Sequence, residues 1–359
     1  MRPVSNGGDE RRRAVLAMVA PGTALRDGLD RINRGNTGAL IVVGSDAVVQ
    51  QICSGGFELD AEFSATRLRE LAKMDGAIVL DAGARRILRA AVQLVPDPAL
   101  PTQESGTRHR TAERAAQHTG FPVISVSKSM RTIAVFAAGE RYVLQDSSAL
   151  LARAHQELAT LERHKRRLQD TTRALTAMEI EDRATVADIA VVAQQLELVS
   201  RVTDEISGYL VELGTDAGLL ALQLDELTAG TRRERGLLLR DYGPDPAASP
   251  SWTGADRLAN LGASDLLDLP VVAAAIRMRD AGDADAHVSA RGHRLLGHIP
   301  RLPQIVADSL VAHFGGLQKL LSASAHDLQY VPGVDEAMAL TVRDGLSRIA
   351  EAALLDHYS

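Results

Sequence analysis

The most informative stretch of this chain is Gly106–Glu113, which reads GTRHRTAE. Its candidate side chains are Thr107, Arg108, His109, Arg110 and Thr111. Each arginine can donate forked hydrogen bonds to phosphate oxygens, and the histidine adds a third donor. The threonines lie where a helix is expected to begin, and helix N-termini favour anions. Arginine-rich loops also form ordinary surface ion pairs, so this stretch alone indicates a polyphosphate site only weakly.

A second candidate element is Met74-Asp75-Gly76-Ala77, between a predicted helix and a predicted strand. A carboxylate at a strand edge can hold a hard divalent cation, and the glycine after it allows close approach of a nucleotide. An Asp-Gly pair is more often simply a turn. Sequence distance alone does not bring this element next to the arginines.

Composition restricts the classes of function. The chain has 359 residues, 45% of them apolar, which suffices for two or three domains with separate cores. A net charge of -6 excludes a protein that coats nucleic acid by bulk electrostatics, so any DNA contact must be local. The single cysteine, Cys53, cannot form an intrachain disulfide, which favours a reducing, cytoplasmic compartment.

The N-terminal region superficially resembles a secretory signal, because Arg11–Arg13 precede the apolar run Ala14–Ala20. Leu25, Leu29 and Ile32 continue this run with helical spacing, which predicts one amphipathic helix instead. No run approaches the roughly 18 apolar residues needed to span a bilayer. We therefore expect no membrane partner.

Three domains are expected. Residues 1–146 alternate strands and helices, which predicts an α/β domain with a mixed central sheet flanked by helices. The expected strands are Ala39–Val43, Ala77–Leu80, Ile87–Val95, Val123–Val126 and Ile133–Phe136, and the expected helices are Ser64–Lys73 and Thr111–His118. Apolar residues at heptad spacing predict an all-α spine over 147–288. Its proline-rich stretch 241–254 is expected to be a linker or exposed loop.

The third domain, residues 289–359, contains an internal repeat with a shift of 32 residues. Leu296, Ile299, Leu302 and Ala307 align with Leu328, Val331, Val334 and Ala339. This spacing resembles a tandem helix-hairpin-helix, whose glycines let backbone N–H groups approach a DNA phosphate. Arg301 and Pro303 replace the two glycines of the first hairpin, whereas the second keeps Gly333 and has Asp335.

The candidate DNA contacts in this domain are Arg301, Gly333 and Val334. From Ala290 onward, six lysines or arginines stand against seven acidic residues, so composition provides no basic face. DNA affinity should then be modest and strongly salt dependent. The alternative is an all-α cap that uses the hairpins only for packing.

Asp75-Gly76-Ala77 followed by Arg108-His109-Arg110 resembles the motif pair of diadenylate cyclase domains. The surrounding LRELAKMDGAIVLD, LVPDP and GTRHRTAERAAQHTGFPVISVS are similar to that family nearly throughout. With its helical middle and hairpin end, the whole chain resembles the DNA integrity scanning family, the DNA-linked branch of these cyclases. The resemblance is specific for residues 1–146 and looser in the helical middle.

The resemblance implies condensation of two ATP molecules into cyclic di-AMP with release of two pyrophosphates. It implies that Asp75 binds a catalytic Mg²⁺ or Mn²⁺ and helps to activate the ribose 3'-hydroxyl. Leu94 would lie beside the adenine, and Ser127 and Lys128 would reach the terminal phosphates. The implied ATP-binding residues are Gly76, Ala77, Leu94, Thr107, Arg108, His109, Arg110, Thr111, Ser127 and Lys128.

The reaction also predicts an assembly, because each ATP must supply both a nucleophile and an electrophile. Two such domains must therefore face each other across a two-fold axis. The resemblance further implies a homo-octamer of two tetramers whose activity falls when branched DNA, such as a Holliday junction, binds. The alternative is a DNA-junction-binding scaffold or an ATP sensor without turnover. Asp75 favours the enzyme, since a sensor needs the arginines but no metal-binding carboxylate.

Overall fold

A computed structural model describes residues 6–244, 254–278 and 281–357. These residues form two compact units. The first holds the described residues up to His155 together with Ile206–Leu222, and the second holds Gln156–Glu205 and the described residues from Gln223 onward. Within those ranges, no helix combines the length and apolarity that a membrane crossing requires.

The first unit is built on a mixed sheet, which has eight strands in the described part of the chain. They are β1 (Ala39–Val43), β2 (Cys53–Ser54), β3 (Phe57–Glu62), β4 (Ala77–Leu80), β5 (Arg86–Leu94), β6 (Val123–Ser127), β7 (Thr132–Ala137) and β8 (Glu140–Val143). Their order is β2-β5-β4-β1-β6-β7-β8, with β3 paired to β5. β1 and β4 run parallel, and the other pairs are antiparallel.

Helices cover both faces of this sheet. They are α1 (Asn6–Met18), α2 (Ala24–Arg34), α3 (Ala47–Ile52), α4 (Ala65–Leu71) and α5 (Thr107–Thr119). Side chains alternate across a strand, so Ile41 packs with residues of α1, α2 and α4, whereas Val42 packs with residues of α3 and α5. The result is a three-layer α/β domain, as the sequence predicts.

The five predicted strands are confirmed to within one residue at each end, but other parts of the prediction were wrong. The single N-terminal helix is two helices, since the chain turns at Pro21 and Gly22, where φ is +89°. Thr23 then caps α2 by accepting a hydrogen bond from the N–H of Arg26. α5 begins four residues earlier than predicted, at Thr107.

The remaining helices are α6 (Ser147–Ile180), α7 (Val186–Leu213), α8 (Gly218–Thr228), α9 (Thr231–Tyr242), α10 (Gly254–Ala259), α11 (Leu269–Ala275), α12 (His293–Gly297), α13 (Gln304–Phe314), α14 (Leu317–Ser322), α15 (Ala325–Leu328) and α16 (Glu336–His357). The apolar heptad residues of α6, from Ala154 to Leu175, are buried, as a spine helix requires. Most of the expected linker, residues 245–253, lies outside the described residues.

The sequence repeat is also a repeat of structure. α12 and α13 flank one turn, and α15 and α16 flank the other. The N–H of Ile299 donates to the carbonyl of Leu296 at 3.1 Å, and the N–H of Val331 donates to the carbonyl of Leu328 at 3.2 Å. Both turns place a residue with positive φ at the equivalent position, Arg301 at +64° in the first.

A buried ion cluster joins the ends of α6 and α9 to α12. Arg294 is 1% exposed and donates from Nη1 to Glu179 at 2.6 Å and from Nε to Glu234 at 3.1 Å. Tyr242 donates to the same oxygen of Glu179 at 2.5 Å. Asp241 accepts from three consecutive N–H groups at the start of α12, at 2.7 to 2.8 Å. Side chains of α9 therefore supply the cap that α12 lacks.

Candidate active site

The sequence predicted to bind phosphate lies on the first turn of α5 and in the loop before it. Gly106 is the N-cap and contributes no side-chain hydrogen bond. The N–H of Arg110 donates to the carbonyl of Gly106 at 2.9 Å, and the N–H groups before it have no acceptor within the helix. The open N-terminus of a 13-residue helix therefore favours an anion at this end.

A cavity of about 610 Å³ opens beside this turn, within the size range of small-molecule sites. Its lining residues are Asn36, Glu104, Ser105, Gly106, Thr107, Arg108, His109, Ser127, Lys128, Ser129 and Met130. Five of the predicted ATP-binding residues thus meet in one cavity: Thr107, Arg108, His109, Ser127 and Lys128.

Gly38, directly before β1, makes room for Arg108. A Cβ on residue 38 would lie 2.1 Å from Nη1 of Arg108, far inside van der Waals contact. The absent side chain therefore lets the guanidinium lie against the edge of the sheet beside the cavity. In the described part of the chain, Arg108 has no carboxylate within ion-pair distance, so its charge is available to an anion.

His109 is the buried member of the cluster, with 8% of its surface exposed. Its ring centroid lies 6.4 Å from that of Phe136. Burial lowers the pKa of His109, Glu104 opposes this, and Arg141 and Arg108 add to the lowering. The imidazole is therefore neutral at pH 7 and has one N–H to donate.

Two buried polar atoms near this position lack a hydrogen-bond partner: Nδ1 of His109 and Oγ of Ser125. Ser125 and Ser127 are alternate residues of β6, so their side chains point to the same face of the sheet. Buried polar atoms are rarely left unpaired in a finished structure. The unpaired Nδ1 of His109, which lines the cavity, favours a polar ligand there.

Glu104 brings a carboxylate to this otherwise basic cavity. Its side chain is 15% exposed and pairs with Arg141 at 3.2 Å. The loop that carries it is tied to α5 through Glu113, which accepts from the hydroxyl of Thr102 and from the N–H of Gln103. Arg141 therefore offsets the negative charge while Glu113 holds the loop in place.

The turn between β6 and β7 forms the opposite wall. Ser127 is 6% exposed, and its hydroxyl accepts from the N–H of Met130 at 3.3 Å and lies 3.4 Å from Oγ of Ser129. Lys128 is exposed. Its ammonium group can follow a flexible polyphosphate tail, because a lysine side chain carries its charge on four rotatable carbons.

Strand pairing places the second predicted element at the same edge of the sheet. β4 begins where its parallel neighbour β1 begins, and where the antiparallel β5 and β6 end. Leu94, Asp75, Gly38 and Ser127 therefore follow one another along this edge. β1 alone separates Asp75 from Ser127, a distance of two strand spacings or about 10 Å.

Gly76 is required by the backbone, because its φ is +109°. A Cβ there would lie 2.6 Å from the carbonyl carbon of Ala91. Ala77 and Leu94 are buried beneath this edge, whereas Asp75 is exposed. Six predicted site residues do not line the cavity of 610 Å³: Asp75, Gly76, Ala77, Leu94, Arg110 and Thr111.

The last two of these lie on α5 itself. Arg110 is exposed, and the hydroxyl of Thr111 donates to the carbonyl of Thr107 at 2.9 Å. The latter bond is a common backbone contact of a helical threonine. Within this unit, therefore, Arg110 and Thr111 do not contact the cavity, and a role in ATP binding remains a prediction.

The described residues contain no group of three metal-ligating side chains. Mg²⁺ at polyphosphate sites usually takes one or two carboxylates together with substrate phosphates and water. Asp75 is exposed and has no hydrogen bond or ion pair to another described residue. A single free carboxylate at the same end of the sheet as a cavity lined by Arg108, His109 and Lys128 thus fits Mg²⁺ or Mn²⁺ carried with a nucleotide.

Several cavity residues had not been predicted: Asn36, Glu104, Ser105, Ser129 and Met130. Gly38, which lies beside Arg108, had not been predicted either. Gly38 offered a signal, since a glycine directly before a buried strand often marks close approach of another group. The others lie in loops with no motif of their own. Only the pairing of strands brings them to the cavity.

The candidate DNA contacts lie in the two hairpin turns. Arg301 and Gly333 are exposed. Val334 is 7% exposed, and its N–H donates to the carbonyl of Val331 at 3.1 Å. Its N–H and side chain are thus engaged within the protein, which leaves Arg301 and Gly333 as the groups of this set that face solvent.

Comparison with known families covers both units. Residues 26–141 match the family described as DisA bacterial checkpoint controller nucleotide-binding. Residues 144–284 match the DisA bacterial checkpoint controller linker region. The cavity and the Asp75 edge both lie in the first of these ranges.

Full-length relatives extend the match. The protein from Frankia alni named DNA integrity scanning protein DisA is 59% identical over 355 residues, 98% of each chain. Proteins of the same name are 58% identical in Streptomyces avermitilis, over 99% of this chain and 96% of that one, and 57% identical in Kineococcus radiotolerans, over 98% of each.

Proposed function

The chain belongs to the family of DNA integrity scanning proteins, and on that premise we propose that it is a diadenylate cyclase. It would condense two ATP molecules into cyclic di-AMP and release two pyrophosphates. The observation that carries this proposal is the order of groups along one sheet edge. Apolar Leu94, acidic Asp75 and the basic cavity around Arg108 follow one another there.

That order matches the order of parts in ATP. The adenine would lie against Leu94, and the ribose would lie over Gly76, whose missing side chain leaves room. The triphosphate would enter the cavity at the start of α5. There it would accept hydrogen bonds from Arg108, His109 and Ser127 and from the open N–H groups of the helix.

Asp75 is the residue that would hold Mg²⁺ or Mn²⁺. When bound, such an ion lowers the pKa of the attacking hydroxyl and neutralises charge at the reacting phosphate. The protein's own contribution is positional: Asp75 fixes the ribose end, and the guanidinium of Arg108 fixes the phosphate end. Neutral His109 would donate one N–H to a phosphate oxygen, and the charge of the phosphate would favour its protonation.

Ring closure requires two such sites. A 3'-hydroxyl cannot reach the α-phosphate of a second ATP unless the sheet edge of another copy faces it. We therefore propose a face-to-face pair of first units related by a two-fold axis, within the octamer of two tetramers that the family resemblance implies. Arg110 is exposed on α5 and is a candidate for contact with the nucleotide of the partner subunit.

The hairpins supply the second part of the proposal, which is binding of branched DNA that lowers cyclase activity. Their turns expose Arg301 and Gly333, and α13 and α16 begin directly after them. Inhibition requires that DNA favour one of two assembly states. Holliday-junction DNA added to the working enzyme should reduce turnover, and unchanged turnover with junction bound would reject the regulatory part.

The central test is incubation with ATP and Mg²⁺ or Mn²⁺, followed by chromatographic detection of cyclic di-AMP. Asp75→Asn should reduce product to background, because the amide cannot hold the ion, while ATP-analogue binding and thermal unfolding stay close to wild type. Glu58→Gln, an exposed acid of β3 whose side chain has no hydrogen bond or ion pair to another described residue, is a control for loss of one negative charge. Product formation by Asp75→Asn near the wild-type rate would refute the assigned role.

A further inference from the structure

The hairpin domain has no excess of basic residues, but the neighbouring helix α9 is rich in arginine. Its first ten residues read TRRERGLLLR and contain four arginines and one glutamate. By contrast, the segment from Ala290 onward has six basic and seven acidic residues. Since phosphate contacts supply much of the affinity of DNA-binding proteins, the location of these arginines matters.

α9 packs directly against the first hairpin. Nη2 of Arg233 donates to the carbonyl of Gly297 at 2.6 Å, and Gly297 is the last residue of α12, just before the hairpin turn. A Cβ on Gly297 would lie 2.5 Å from Cδ1 of Leu237. Nε2 of His298 in the turn itself lies 3.2 Å from a carboxylate oxygen of Glu234. The arginines of α9 are therefore held beside the turn that exposes Arg301.

The charges on this surface are not neutralised internally. Arg232, Arg233 and Arg301 are exposed, and within the described ranges none of the three forms an ion pair. The acid of α9, Glu234, is instead directed to Arg294 and His298. Three guanidinium groups without an ion-pair partner among the described residues thus remain, two at the start of α9 and one in the first hairpin turn.

A cleft of about 650 Å³ continues this surface between α7 and the start of α9. Arg232, Arg233 and Arg235 line it, and Arg235 is engaged with Glu197 at 2.7 Å. Asp204 is the acidic lining residue. The cleft therefore presents two guanidinium groups that have no carboxylate partner among the described residues, and the open N-terminus of a 12-residue helix, a combination that favours phosphate.

We propose that Arg232 and Arg233 form, with Arg301, a phosphate-binding face that extends the first hairpin, and that the backbone of duplex DNA is its ligand. The face provides positive charge that the hairpins lack. Its contacts are with the backbone, since phosphate and sugar receive most protein–DNA hydrogen bonds and arginine is a principal donor to them. The inference rests on the proposed DNA binding and adds the location of the electrostatic contact.

The test is a salt titration of Holliday-junction binding by fluorescence anisotropy with the full chain. Each phosphate contact contributes about 0.9 to the slope of log affinity against log salt concentration. Arg232→Gln with Arg233→Gln should therefore lower the slope by about two and weaken binding most at low salt. Arg232→Gln alone should lower it by about one, and it removes no hydrogen bond to another described residue.

The matched control is Arg163→Gln with Arg183→Gln, two exposed arginines of the same unit whose described bonds reach only three and two residues along the chain. This control should keep the wild-type slope, and cyclase turnover without DNA should be unchanged in all variants. Wild-type binding with an unchanged slope in both α9 variants would overturn the inference alone. Failure of the wild-type chain to bind junction DNA would overturn the DNA part of the proposed function as well.

Discussion

Arg108 and Arg294 are the same residue type in opposite surroundings. Arg294 is buried and donates to two carboxylates, those of Glu179 and Glu234. Arg108 lines an open cavity and has no carboxylate within ion-pair distance in the described part of the chain. An arginine that is paired with carboxylates of the protein holds helices together. An arginine without such partners is free to bind an anion from solution. The presence or absence of carboxylate partners therefore distinguishes an arginine with a structural role from one that is a candidate for ligand binding.

The largest expected effect is on stability. Arg294→Gln should lower the free energy of unfolding by about 3–5 kcal/mol, because it leaves Glu179 buried without its cation. Urea unfolding followed by circular dichroism measures this loss. Arg163→Gln, an exposed arginine on α6, should change stability by no more than about 0.5 kcal/mol. Equal stability of the two variants would show that the buried cluster does not hold the helices together.

At the cavity, by contrast, we expect a loss of activity without a loss of stability. Arg108→Gln should reduce cyclic di-AMP formation by about 100-fold, corresponding to about 2.7 kcal/mol of lost phosphate stabilisation. Its unfolding free energy should stay near wild type, since no internal carboxylate loses a partner. Arg108→Lys should recover only part of the activity, because an ammonium group cannot donate a fork. A large loss of stability in Arg108→Gln would show that Arg108, like Arg294, has a structural role.

Much of this contrast was accessible from the sequence, and the reasons differ by residue. Arg108 and Asp75 lie in short motifs whose chemistry can be named before any fold is known. The five core strands are predominantly apolar, and some, such as Ala39–Val43, are continuous apolar runs. These features depend on local sequence alone, and the fold class they predict is confirmed.

Other features depend on long-range pairing and were missed. β3 alternates apolar and acidic residues over Phe57–Glu62, which is a strand pattern, but the run is short and aspartate and glutamate are depleted in strands, so it was missed. The start of α5 was misplaced because Gly106 caps it without a side chain. Parallel pairing of β1 with β4 brings Asp75 to the same end of the sheet as the cavity. No local pattern reports which strands pair, so the position of Asp75 relative to Arg108 could not be assigned in advance.

The smallest expected effect is a change in protonation. Burial lowers the pKa of His109 below its ordinary value near 6.5. Between 6.5 and that lowered pKa, the unfolded chain binds more protons than the folded one, so stability falls as pH falls through this window. A triphosphate in the cavity should raise the pKa, because it favours the imidazolium form.

An NMR titration of the imidazole signals checks both directions. The signal absent from His109→Gln should titrate below pH 6.5 in the free protein and at higher pH with a non-hydrolysable ATP analogue. The signal absent from His155→Gln, an exposed residue of α6, should not respond to the analogue. If the His109 signal also titrates identically with and without the analogue, the triphosphate does not bind beside His109.

The backbone conformation of Arg301 affects any attempt to raise the thermal stability of this protein. Its φ of +64° lies where a side chain costs about 1 kcal/mol and glycine costs nothing. A screen for thermal robustness should therefore select glycine at this turn and discard a guanidinium group that faces solvent. At this position, the substitution that raises thermal stability also removes the positive charge from the surface.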